Sequence, residues 1–161
     1  MEGLRKVVLG LGIVMDIIGG VVLSLMMLLT VLDVILRFIG RPITGTYELV
    51  FLGGAVVIGC AIPQTSWEGG HVNVDLVTEH LSTASRKVMF LFTKLCGIGF
   101  FFLLGWNLFA LGTTLYSKEE VSLTLHVPYY PVAYILGACA FVECLVLFVF
   151  IVVALKEVSH E

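Results

Sequence analysis

The sequence predicts an all-α integral membrane protein: four transmembrane helices plus a short amphipathic interfacial helix between spans 2 and 3. Three observations point there. Of 161 residues, 59% are hydrophobic and 13% charged, and the mean hydropathy is +1.07, far from the composition of soluble domains. The apolar residues gather into four stretches, and ~20 such residues cross a hydrocarbon core about 30 Å thick. What remains between the stretches is too short for a separate soluble domain. Residues 1–161 therefore read as a single membrane domain.

The first span covers about residues 9–38, with IIGGVVLSLMMLLTVL as its uncharged centre. Arg5 and Lys6 before an apolar run superficially resemble a signal peptide. The run is longer than a signal core and lacks a small-x-small cleavage site, so it reads as an uncleaved first span. Gly40, Pro42 and Gly45 in GRPITGT break the helix and turn the chain. The second span covers about residues 47–65 and is interrupted late by Pro63. Its centre holds Gly53, Gly54, Ala55 and Gly59, and Ala55 with Gly59 forms a small-xxx-small pair that admits another helix backbone.

The extensively polar segment SWEGGHVNVDLVTEHLSTASRK comes next. Val74, Val77 and Leu81 recur there at helical spacing, which predicts a surface helix over about residues 72–82; an ordinary solvated loop is the alternative. The third span covers about residues 88–115 and the fourth about 130–155. Pro128 and Pro131 suit a helix entry, where backbone N–H groups lack partners anyway. Tyr116, Tyr129, Tyr130 and Tyr134 lie near span ends, as an interfacial aromatic belt requires.

Four spans place Arg5, Lys6, Arg86, Lys87 and Lys156 on one side and Arg37, Arg41 and Lys118 on the other. The bias favours both termini in the cytoplasm. Lys94, two turns into the third span, leans toward its own N-terminus and can snorkel to the same interface. The net charge of −3 gives no reason to expect a nucleic-acid partner.

Charged residues inside the spans are the candidate functional groups. Asp33 and Arg37 are spaced for an intrahelical ion pair at a helix C-terminus, with contact to a partner subunit as the other reading. Asp16 is near enough to the inner end to reach headgroups. Glu143 falls near the middle of the fourth span, where a carboxylate costs about 2.5–3.5 kcal/mol on insertion scales. It should face protein or be protonated. Asn107 is its candidate hydrogen-bond partner, and a packed structural contact outweighs a proton relay because few polar groups share that depth. Cys60, Cys96, Cys139 and Cys144 lie in apolar segments and read as buried small hydrophobes, with no metal-ligand spacing. His71, His80, His126 and His160 fall outside the apolar centres, so no pair of spans offers two histidines at one depth for haem.

DVILRF closing the first span, TYELVFLGGA opening the second, GGHVNVD after it and VPYYPVAY entering the fourth appear in a familiar order. On these motifs the chain resembles the small permease subunit, the DctQ-like family, of tripartite ATP-independent periplasmic (TRAP) transporters. GHVNVD with Glu48 upstream is the most specific of them. The resemblance implies a non-catalytic subunit of the bacterial or archaeal inner membrane, without cofactor or metal. It implies a stable complex with a large permease subunit and a transient one with a periplasmic substrate-binding protein. The large subunit would carry sodium and an organic acid anion such as a C4-dicarboxylate or sialic acid. Arg37, Glu48, Gly53, Gly54, His71 and Asp75 match recurrent family positions, with structural or interface roles implied. His71 and Asp75, four apart, suit a hydrogen bond fixing the surface helix. The reading from another class is a membrane anchor or electron-transfer subunit of a respiratory enzyme, and the histidine placement argues against it. A self-sufficient exporter would need a repeat, and none is visible.

Overall fold

A computed structural model describes residues 2–68 and 83–158. These form α1 (Glu2–Phe38), α2 (Thr46–Trp67), α3 (Thr83–Ser117) and α4 (Tyr130–Val158). All four are long and apolar enough to cross a membrane. Helices suit this composition because in hydrocarbon every backbone N–H and C=O must find a partner within its own segment. Among the described residues there is no strand, only an isolated bridge between Val121 and Pro128 in the α3–α4 loop. The surface helix expected over 72–82 lies outside the described residues, and so do His71, Asp75, His80 and His160.

The helix ends show why the chain turns where it does. At the end of α1, Arg41 N–H donates to Leu36 O and Gly40 N–H to Arg37 O, with Gly40 at φ 75°. This paired closure needs a left-handed residue just past the helix, which glycine adopts without a steric penalty. The end of α3 repeats it with Glu119 at φ 52° in the glycine's place, through Glu120 N–H to Leu115 O and Glu119 N–H to Tyr116 O. Pro63 does not interrupt α2 as expected. The helix runs on through it to Trp67, with Pro63 buried inside the fold. Packed neighbours let a membrane helix tolerate the missing N–H.

The helices form a row rather than a closed bundle. Contacts run α1–α2, α2–α4 and α4–α3, with a narrower α1–α4 contact. Burial follows that order: 44% of the apolar window of α4 is buried, against 11% for α1 and 6% for α3. The edge helices therefore present long apolar faces to whatever surrounds the chain.

Small residues set how closely the row packs. A Cβ added at Gly53 would stand 2.7 Å from Met26 Sδ of α1, and one at Gly59 would stand 2.5 Å from Leu136 Cδ2 of α4. Gly59 thus faces a helix neighbour, which the small-xxx-small reading required of it. The tightest crossing lies elsewhere. Cβ atoms built on Gly105 and Gly137 would each stand 3.4 Å from the other's carbonyl oxygen, so α3 and α4 meet there nearly backbone to backbone. Around that crossing a ladder of rings descends the seam. Tyr116–Tyr130, Tyr130–Tyr134, Tyr134–Phe109, Phe109–Phe141 and Phe141–Phe102 have centroids 5.2–6.2 Å apart. Three of the four tyrosines expected at the interface belong to this ladder, and Tyr134 fills the space beside Gly112.

Candidate functional site

Polar groups concentrate at the two ends of the row, and most of them join helices. At the end where α1 turns into α2, Asp33 is 4% exposed. Its Oδ2 accepts from Arg37 Nε at 2.8 Å and lies 2.7 Å from Arg37 Nη2, while Oδ1 accepts from the Ile43 backbone N–H at 2.9 Å. One side chain therefore pairs with its own helix and caps the following turn. The Arg37 guanidinium sits 5.8 Å from the centroid of the Tyr47 ring, a cation–π distance.

Glu48, one turn into α2, reaches the α3–α4 loop. Its Oε1 accepts from Thr124 N–H at 2.9 Å and its Oε2 from Leu125 N–H at 3.1 Å. Ser122, fully buried, braces the same loop by accepting from Val127 N–H at 3.2 Å. Gly45, at φ 82°, leaves room for the Leu125 side chain, which occupies the place of a Cβ. Glu48 thus works as a clasp between the first and second halves of the chain. Leu123 remains at the loop tip, 94% exposed.

All four helices meet again at the opposite end. Arg5 of α1 lies 5.9 Å from the Trp67 ring centroid of α2, and Trp67 packs on Phe150 of α4 at 5.5 Å. Lys94 of α3 sits 4.9 Å from the Phe150 centroid and 5.6 Å from that of Phe90. Lys94 was expected to snorkel toward the interface at this end, and its ammonium lies over two aromatic faces there. Glu143, 1% exposed, lies beside this cluster and accepts from Ser66 Oγ at 2.6 Å. Its other oxygen, Oε2, has no hydrogen-bond partner, nor does the buried Gln64 Oε1.

The structure separates some residues that the sequence reading joined. Asn107 is not the partner of Glu143: it is exposed and donates to Leu103 O of its own helix at 2.8 Å. Cys144 bonds to Ile98 and Gly105 meets Gly137 across the α3–α4 seam, so Glu143 and Asn107 stand at different levels of the bundle. Ser66 takes the role, and no apolar periodicity marked it. Gly53 and Gly54 face Met26 of α1, whereas Ala55 is partly buried. Cys60 and Cys139 touch across the α2–α4 seam with sulfurs 3.9 Å apart, and Cys144 is partly buried. Cys96 departs from the expectation, since it is exposed on α3. His126 stands in the α3–α4 loop at φ 55°. Among the described residues, no group of His, Cys, Asp and Glu is placed to hold a metal ion.

This geometry is that of an open row of membrane-length helices, tied internally and apolar at its edges. Residues 26–157 match the family described as tripartite ATP-independent periplasmic transporters, DctQ component. The chain belongs to that family. No curated protein and no solved structure matches it. The matched stretch begins inside α1 and takes in α2, α3 and nearly all of α4, so the clasp, the Asp33 cap and the Glu143–Ser66 contact all lie within it. Membership makes the chain a multi-pass membrane component of a transporter.

Proposed function

We propose that this DctQ component is a non-catalytic small subunit that packs against a large permease subunit and steadies it during sodium-coupled uptake of an organic acid anion. A periplasmic binding protein would deliver that anion, a C4-dicarboxylate or a sialic acid among the candidates. One observation carries the reading. The buried carboxylates are engaged in tying the chain to itself, Asp33 to Arg37 and Ile43 and Glu143 to Ser66, while the edge helices offer extended apolar surface. A subunit of this design supplies surface and rigidity; cargo handling would fall to its neighbours. Vesicles containing this chain alone are expected to take up no organic anion, and those containing it with the large subunit, binding protein and a sodium gradient to take it up. Uptake by the chain alone would overturn the proposal.

The excess of Lys and Arg at the Arg5–Lys94 end further supports cytoplasmic termini, with the Glu48 clasp facing the periplasm. Leu123→Cys, at the exposed loop tip, is then expected to react in intact cells with a thiol reagent that cannot cross the inner membrane. Protection until the inner membrane is broken would reverse the orientation.

A further inference from the structure

Asp16 is the anomaly in the row. It lies inside the apolar span of α1, is exposed, and among the described residues has no hydrogen-bond or ion-pair partner. The packing of α1 on α2 gives its depth. Gly12 lies against Gln64 and Gly19 against Cys60 and Val57, so Asp16 is level with the stretch between Cys60 and Gln64. Trp67 ends α2 in the cluster of Val8, Val146 and Val149, and Asp16 is roughly 7–12 Å further in, counted along α2 or along α1 at about 1.5 Å per residue. A hydrocarbon half-thickness is about 15 Å, and an aspartate side chain is too short to reach headgroups across most of that. Headgroup contact, the reading the sequence offered for Asp16, and a side chain from a partner are then the two ways to satisfy this carboxylate.

A carboxylate facing lipid at that level is among the most unfavourable placements available to a membrane helix. Such groups turn toward protein and pair there. The same face of α1 carries Ile13, Gly20, Ser24 and Met27, all exposed, and a Cβ built on Gly20 would meet nothing within 4 Å. The rival face, on α3, also has an exposed polar residue in Asn107, but its amide N–H already donates to Leu103 O. A neutral amide half-satisfied by its own helix can meet lipid at far lower cost than an unpaired carboxylate, since single polar contacts in membranes contribute little. Charge therefore decides between the two edges.

We propose that the α1 face bearing Ile13, Asp16, Gly20, Ser24 and Met27 receives a helix of the large permease subunit, and that this helix brings a cationic or hydrogen-donating side chain to Asp16. The proposal rests on the scaffold reading above and names the edge of the row that the partner covers.

The test co-expresses the full chain with its large subunit and purifies the complex through a tag on the small one. Asp16→Leu is expected to lower recovery of the large subunit at least about tenfold because removing one partner from a desolvated pair strands the other, and Gly20→Leu likewise because its side chain fills the space a partner helix would enter. Neither change meets packing within the chain itself, so both variants should purify alone with wild-type helicity. Asn107→Leu and Gly99→Leu on α3 should leave recovery unchanged; Gly99 likewise has nothing within 4 Å of a built Cβ. A photo-crosslinking residue at Ile13 or Ser24 should join the two subunits, and one at Trp106 should not. Undiminished recovery with the α1 variants, crosslinking only from α3, or crosslinking of α1 only to lipid or to a second copy would each overturn the proposal. Failure of the wild-type chain to bring down the large subunit would instead overturn the scaffold reading.

Discussion

Replacing Gly137 by leucine is expected to separate α3 from α4. A Cβ at this position would stand 2.7 Å from Phe109 Cδ2 and 3.4 Å from Gly105 O. The Cβ itself meets the carbonyl at ordinary van der Waals distance but forces the Phe109 ring to give way, and any atom beyond the Cβ meets a backbone that yields only if the helix moves. Gly137→Ala should therefore cost about 1–3 kcal/mol, the usual range for overpacking, and Gly137→Leu more, because its branch must enter the space between the two backbones. α3 depends on this seam, since its packing is on α4. The separation can be read from a thiol already in place. Cys144 is partly buried and its sulfur donates to Ile98 O of α3 at 3.6 Å, so parting the helices uncovers it. With Cys96 changed to Ala to remove the exposed thiol, a maleimide should label Gly137→Leu rapidly and the parent slowly. Equal labelling would show that the backbone crossing does not hold α3 in place.

Glu143→Ala should be the most damaging change within the α2–α4 contact, while Glu143→Gln should be mild. Glu143 is 1% exposed and fills its site completely. Truncation to alanine opens a cavity and takes the acceptor from Ser66 Oγ, and large-to-small changes at buried sites cost about 2–5 kcal/mol. Glutamine keeps both the volume and an oxygen for the serine, so thermal stability in detergent should fall far less. Uptake by the reconstituted complex separates structure from chemistry. A packing role predicts that Glu143→Gln transports as well as the parent. Loss of uptake with the complex intact would mean that the carboxylate takes part in moving protons or ions.

Much of the architecture was legible in order of appearance along the chain. Four apolar stretches had to become four helices, because lipid leaves the backbone no other partner than itself. Gly40 and Gly45 announced the turn between α1 and α2, and both adopt positive φ there. The acid–base pair Asp33–Arg37 was visible from its spacing and forms as an ion pair. That Asp33 also caps Ile43 N–H was not visible, since the capped group lies beyond a turn whose path composition does not specify. Glu48 was singled out through a family resemblance, while its actual partners, the backbone N–H groups of Thr124 and Leu125, are distant in sequence. Backbone donors carry no sequence signal at all.

The sequence by itself determined the solvent, the four spans and the class of protein, because these follow from how many apolar residues stand in a row. Only the tertiary structure decided that the helices line up as α1, α2, α4, α3, that Gly105 meets Gly137, that Glu143 pairs with Ser66 rather than Asn107, and that Asp16 is left facing outward within the apolar span of α1. In helices apolar on every side, periodicity does not say which face meets which neighbour. That choice rests on where small residues let backbones approach and where polar groups find partners across the seam.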